Sequence, residues 1–387
     1  MDAKILKEKD RKYIANTYAR FDLAIESCNG GMLYAEGKEY IDFGSGIAVS
    51  SFGTSDNEWV NAVSEQAQKL SHTSNLYFTE PAVKLAELLC TKTNLQKVFF
   101  SNSGAEANEC AIKTARKYSF DKYGYGRNEI ITLQNSFHGR TMATLSATGQ
   151  DSFHNIFNPF LEGFRYATAN DLDMLKNLIS EKTCAVMIEI IQGEGGINVL
   201  DKSFVKNAAK ICAEKDLLLI IDEVQTGNGR TGTLYAYMQY GVSPDILTTA
   251  KGLGGGLPIG ATLFGEKTAE TLSRGTHGST FGANPICCAA AYSIISRLNN
   301  KFLGEVKARG NYLKEALLKI DEVESVSGLG LMLGVSIDKN AKEIANECLL
   351  RGLLVLTAKD KLRLLPALNI SYEDLDKGIK ILSEVLK

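Results

Sequence analysis

Six short, unbroken apolar runs punctuate the middle of this chain: Val98–Phe100, Ile130–Leu133, Ala185–Ile188, Leu217–Ile221, Ile246–Thr249 and Ala261–Phe264. Each has strand length and none alternates apolar with polar, so each reads as a strand covered on both faces. Before and between them lie helical patterns at Asn57–Leu70, Pro81–Lys92, Ala105–Tyr118, Asp171–Ile179 and Phe204–Glu214. Strands alternating with helices predict an α/β fold built on a mainly parallel central sheet. Ligands of such sheets collect at the carboxyl ends of the strands, so the polar residues just after each run carry the functional question.

At 387 residues the chain exceeds the roughly 250–300 at which a single core stops growing. The expected division is an N-terminal arm at 1–50, a large domain at 51–290 and a smaller α+β domain at 291–387. The arm carries a turn at Asn29-Gly30-Gly31 and a short strand at Tyr40–Phe43, and a helix at Asn284–Leu298 bridges to the last segment. Lys+Arg (43) nearly balance Asp+Glu (45), so no overall field recruits nucleic acid or an anionic membrane. The start is charged without an apolar signal core, and no run reaches membrane-span length, which predicts a cytoplasmic protein. The eight cysteines show no C-x-x-C spacing and the four histidines are scattered, so free thiols and no metal site are expected.

Two residues sharpen the reading. Lys251 ends the run Ile246–Ala250 and enters Gly252-Leu253-Gly254-Gly255-Gly256, backbone too bare to crowd an amine that forms an imine with an aldehyde. Asp222 follows five aliphatic residues, which puts its carboxylate near low-dielectric surroundings and calls for a cationic partner. A lysine for a Schiff base and a carboxylate for a pyridinium nitrogen are what pyridoxal phosphate chemistry asks of a protein. Gln225, three residues on, suits the ring hydroxyl.

Other strand ends add to this. Ser101-Asn102-Ser103-Gly104-Ala105-Glu106 turns from strand into helix, where free N–H groups and the helix dipole favour an anion. Phe137-His138-Gly139-Arg140 offers an aromatic ring for stacking and a guanidinium fork for a carboxylate. Ser279–Pro285 opens a helix with small polar residues. Glu189 follows Ala185–Ile188 and, near the core, needs a cation; the expected partner is Arg363. Taken singly, these groups have plainer readings as an N-cap, a solvated lysine or a surface arginine.

Taken together and in order, Ser74–Pro81, Ser101–Asn108, Phe137–Arg140, Asp222–Gly227, Lys251–Gly260, Ser279–Pro285 and Arg363–Pro366 resemble the class III (subgroup II) PLP-dependent aminotransferases of fold type I. Within that group the likeness is strongest to the acetylornithine aminotransferases. The resemblance implies that Lys251 joins the cofactor aldehyde and then shuttles the proton. Asp222 pairs with the ring nitrogen, Gln225 with the ring hydroxyl, and Phe137 stacks on the ring. Ser103, Gly104 and Ala105 hold the phosphate, and Thr280 reaches it from the other subunit, so a homodimer with shared sites is implied.

By the same resemblance Arg140 binds the donor's α-carboxylate and Arg363 that of 2-oxoglutarate, with Glu189 masking Arg363 in between. Tyr18, Ser279 and the 45–47 stretch line the substrate side. The implied reaction moves the terminal amino group of N-acetylornithine to 2-oxoglutarate; succinylornithine, succinyl-diaminopimelate and ornithine are the alternative donors. The chain departs from the family pattern at Ile190, where proline is usual, at Asp22, also usually proline, and at Thr54, commonly histidine. A nicotinamide-dependent dehydrogenase is the alternative from another class, but Gly252-Leu253-Gly254 lacks the full G-x-G-x-x-G spacing.

Overall fold

In the computed structural model, which describes residues 2–387, the apolar runs form one seven-stranded sheet. Its strands are β1 (Lys97–Ser101), β2 (Glu129–Leu133), β3 (Phe164–Ala167), β4 (Thr183–Ile188), β5 (Leu218–Asp222), β6 (Ile246–Thr249) and β7 (Gly260–Phe264). Their order across the sheet is β1-β7-β6-β5-β4-β2-β3. All run the same way except β7, which is antiparallel to both neighbours. The loop from β6 to β7 contains no full helix, and a parallel crossover needs about a dozen residues or more, so β7 turns back. β3 has no continuous apolar run because it is an edge strand, with Arg165 exposed and salt-bridged to Glu129.

Burial on both faces explains the unbroken apolar runs. Leu219 and Ile221 of β5 face the main core, while Leu218 and Ile220 face a second cluster with Cys110, Ala111 and Ala115. Those three sit on α1 (Gly104–Tyr123), which begins three residues after β1 ends and lies across the sheet. The carboxyl ends of β1, β2, β4, β5 and β6 therefore share one edge, and β7 starts there, with Gly260 opposite Ser101.

Two smaller sheets flank this layer. Ile25–Asn29, Met32–Ala35 and Lys38–Asp42 form an antiparallel meander, which Leu353–Leu354 joins by pairing parallel to Lys38–Asp42. Val323–Leu329, Met332–Ile337, Lys361–Leu364 and Leu356–Ala358 form an antiparallel sheet that carries Arg363. The arm is thus built into the C-terminal part of the chain. One continuous core runs from Ile41 and Phe43 through Ile188 and Ile221 to Leu382 and Leu386. Among the described residues no helix is long and apolar enough to cross a membrane, and all eight cysteines are free.

Leu219→Ala removes a side chain that is 2% exposed within this core. It should lower the unfolding free energy by about 2–5 kcal/mol in chemical denaturation.

Candidate active site

A cavity of about 660 Å³ opens over the shared edge of strand ends. Its wall includes Tyr18, Ser103, Gly104, Ala105, Phe137 and Arg140, together with Glu189, Asp222, Gln225 and Lys251. Ten of the thirteen residues singled out from the sequence therefore meet in one place. Arg363 reaches this region through Glu194 and Gln225, whereas Ser279 and Thr280 lie outside the wall. A wider hollow of about 810 Å³ lies at the opposite, amino-terminal end of the sheet and contains none of these groups.

Lys251 occupies left-handed backbone, with φ +47°, a conformation that a residue with a side chain adopts only when its surroundings hold it there. Asn228 Nδ2 donates to Thr249 Oγ1 and to the Ala250 carbonyl, both at 3.0 Å, and Ser51 Oγ donates to the Gly252 carbonyl at 3.0 Å. These bonds fix the turn on either side of the lysine. Burial pulls the Lys251 amine below its usual range, against the opposing pull of Glu194; Arg363 adds to the lowering, and Asp222 and Glu189 oppose it. A neutral amine is both the nucleophile and the base that imine chemistry needs.

Asp222 is 4% exposed, and donors meet it on both oxygens. Oδ1 accepts from the Val224 N–H at 2.9 Å, and Oδ2 accepts from Asn108 Nδ2 at 2.7 Å and from His138 Nδ1 at 2.8 Å. A carboxylate offers about four acceptor positions, so one remains on Oδ1. At the start of α1, Ser103 Oγ accepts from the Glu106 N–H at 3.1 Å, an N-cap that leaves the Gly104 and Ala105 N–H groups at the cavity wall. Gly104 is required there, because an added Cβ would come within 2.6 Å of Val224. An open acceptor position, a helix start for an anion, a half-buried aromatic face at Phe137 and a buried amine whose pKa burial lowers together suit pyridoxal phosphate.

The expected pairing of Glu189 with Arg363 does not form. Arg363 donates to Glu194 Oε1 at 2.5 Å and to Gln225 Oε1 at 3.3 Å. Glu189, at the end of β4, instead accepts the Phe137 N–H at 3.0 Å and so holds the loop that bears the aromatic ring. Burial and the neighbouring Asp222 push its carboxyl well above the usual range. Glu194 lies in the loop that joins a two-residue strand pair, Ile191–Gln192 with Asn198–Val199, on glycine-flanked backbone that reaches Arg363. Burial raises its pKa, but Arg363 more than offsets this and the carboxyl stays low.

Arg140 is exposed and stacks over Phe153 at 4.1 Å and Phe137 at 5.5 Å, which leaves its fork at the cavity mouth. The sequence reading passed over Asn108, His138, Glu194 and Val224 as individual groups. Glu194 alone carried a visible signal, an acid set between Gly193 and Gly195.

Glu223 is fully buried next to Asp222, accepting from Thr226 Oγ1 at 2.6 Å and from the Tyr237 N–H at 2.7 Å. Burial pushes its carboxyl from 4.5 up to about 7. Between these values the folded chain holds a proton that the unfolded chain has lost, so its contribution to stability falls as pH rises through the window. Glu223→Gln should therefore flatten the dependence of melting temperature on pH between about pH 5 and pH 7.

Fold, cavity and donor set define a pyridoxal-phosphate-dependent transferase. Residues 13–386 match the family described as Aminotransferase class-III, and the chain belongs to it. It is 53% identical over 385 residues to the acetylornithine aminotransferase of Haemophilus ducreyi, covering 98% of each chain. Among solved structures, the ornithine aminotransferase of Toxoplasma gondii superposes with a TM-score of 0.95 at 29% identity, over 100% of this chain and 95% of that one. The N-acetylornithine aminotransferase of Stenotrophomonas maltophilia gives a TM-score of 0.85 at 36% identity, over 98% and 97% of the two chains.

Proposed function

We propose that this aminotransferase moves the terminal amino group of N-acetylornithine to 2-oxoglutarate, giving N-acetylglutamate semialdehyde and glutamate by a ping-pong cycle in arginine biosynthesis. The observation that carries this reading is the pair of arginines around one amine, Arg140 open at the cavity mouth and Arg363 covered by Glu194. One serves the carboxylate of a long ω-amino donor and the other that of a 2-oxo acid. The similarity to the Haemophilus ducreyi acetylornithine aminotransferase supports the same substrate class.

Pyridoxal phosphate, when bound, supplies an aldehyde for the substrate amine and a ring that takes up charge when the adjacent carbon loses a proton. The protein's part is to place and to move protons. Ser103 and the Gly104 and Ala105 N–H groups would hold the phosphate, and Phe137 would stack on the ring. Gln225 would donate to the ring hydroxyl, and Asp222 would take the ring N–H at its open acceptor position. Lys251 Nζ would take the proton from the substrate carbon that bears the amine and hold it for return on the far side of that nitrogen. Arg140 orients the donor by its α-carboxylate. When the oxo acid enters, Glu194 yields Arg363 to it; this assigns the masking role to Glu194 rather than Glu189.

The same reading makes the working unit a cytoplasmic homodimer, with an arm at 1–50, a large domain at 51–290 and a small domain at 291–387. Leu76, Tyr77 and Phe78 are 86%, 68% and 102% exposed, beside a loop where Asn75 holds the Ser279 and Gly282 carbonyls and Phe281 is 59% exposed. Apolar surface of this kind suits burial against a second copy, with Thr280 reaching the partner's phosphate site. Phe78→Asp should shift the protein from dimer to monomer in sedimentation; a variant that remains dimeric removes this patch from the interface.

Initial rates with acetylornithine, succinylornithine, succinyl-diaminopimelate and ornithine test the donor, and acetylornithine should give the highest kcat/KM. Lys251→Ala should abolish both turnover and the visible absorbance that appears on adding the cofactor; a variant retaining either overturns the role. Glu194→Gln should slow the donor half-reaction about tenfold more than the 2-oxoglutarate half-reaction, because Arg363 is no longer masked. Equal losses in single-turnover measurements would remove the masking role.

A further inference from the structure

We propose that Asn108 is a positioning residue that fixes the orientation of the Asp222 carboxylate toward the cofactor ring nitrogen, acting through a hydroxyl relay from Thr248. The inference rests on the reading that Asp222 faces that nitrogen.

Asn108 lies in the second turn of α1 and is 1% exposed. Its two Nδ2 hydrogens go to the His138 carbonyl at 2.8 Å and to Asp222 Oδ2 at 2.7 Å. Its Oδ1 accepts from Thr248 Oγ1 at 2.7 Å. Thr248 is fully buried on β6, in register with Asp222 on β5, so its hydroxyl sits beside the carboxylate it helps to orient. The Asp222 carboxylate and the His138 carbonyl, which can only accept, settle which way the amide points, and the Thr248 hydroxyl then donates to its oxygen. A flipped amide would set its oxygen against both of those acceptors, a costly arrangement in a buried network.

The consequence is geometric. Oδ2 is held by two donors arriving from separate elements, α1 and the loop after β2, while Oδ1 is held by the Val224 N–H. Rotation of the carboxylate about Cβ–Cγ would break all three bonds at once. The acceptor position left on Oδ1 is therefore fixed in direction before any ligand arrives. Charge-assisted bonds of this kind are about twice as strong as neutral ones, and Asn108 supplies one of them. The plainer role, in which Asn108 only ties α1 to the loop at His138, predicts a loss that does not depend on the ring nitrogen.

Two ligands separate these accounts: pyridoxal phosphate, and its carbon analogue in which CH replaces the ring nitrogen. Both keep the aldehyde, the phosphate and the ring hydroxyl. Apoenzyme is titrated with each by equilibrium dialysis, so the readout is affinity and not turnover. Wild type should prefer pyridoxal phosphate, and Asn108→Ala should shrink that preference about tenfold or more while binding the analogue within about threefold of wild type. An unchanged preference overturns the inference even if both affinities fall. Thr248→Val, which is near-isosteric and removes only the hydroxyl that holds the amide oxygen, should shrink the preference about threefold. It decides the matter if Asn108→Ala does not fold, and an unchanged preference there overturns the relay. A wild type without preference would overturn the assignment of Asp222 to the ring nitrogen, and this inference with it.

Discussion

Placing a carboxylate at the end of five aliphatic residues carries a desolvation cost of several kcal/mol unless donors meet it there. At Asp222 three donors do so, from Asn108, His138 and the Val224 N–H, and they come from three different parts of the chain. This requirement organises the site. α1 must lie where Asn108 can reach β5, and the loop after β2 must bend back to bring in His138. The same loop then carries Phe137 over the cavity and Arg140 to its mouth, while Glu189 holds the Phe137 N–H from below. A single buried charge thus fixes both the Phe137 face over the cavity and the position of Arg140 at its mouth.

The acidic groups around Lys251 divide the labour by environment. Glu189 and Glu223 are buried without a cation, and burial pushes both carboxyls up, so they act as hydrogen-bonding parts of the scaffold. Glu194 stands against Arg363 and its carboxyl stays low, so it is the acid of the group that keeps an ion pair. Lys251 lies within the field of Glu194, Asp222 and Glu189, yet burial keeps its amine below the usual range. One cavity therefore holds an amine with a lowered pKa and an ion pair side by side.

Much of this was legible in the residues. Short apolar runs gave the sheet and its mainly parallel sense, because strands covered on both faces cannot alternate. The residues after those runs gave the cavity, because a parallel sheet aligns its carboxyl ends. Edge strand β3 escaped notice, as its exposed Arg165 breaks the pattern. The partner of Arg363 was misassigned because Glu189 and Glu194 are five residues apart, and only the path of the chain after β4 decides which one arrives. Asn108 stayed hidden for a related reason: a polar residue on a helix reads as solvent-facing until the sheet beneath it is known to hold a carboxylate.

The parallel pairing of Lys38–Asp42 with Leu353–Leu354 has a consequence for how the protein comes into being. An early strand leaves the ribosome with its outer edge unsatisfied and stays so until Leu353–Leu354 has been made. Closing so long a loop is entropically slow, and contacts of such separation delay folding. The emerging chain therefore carries an open hydrogen-bonding edge through all of the intervening synthesis, the period in which a holding chaperone protects it most.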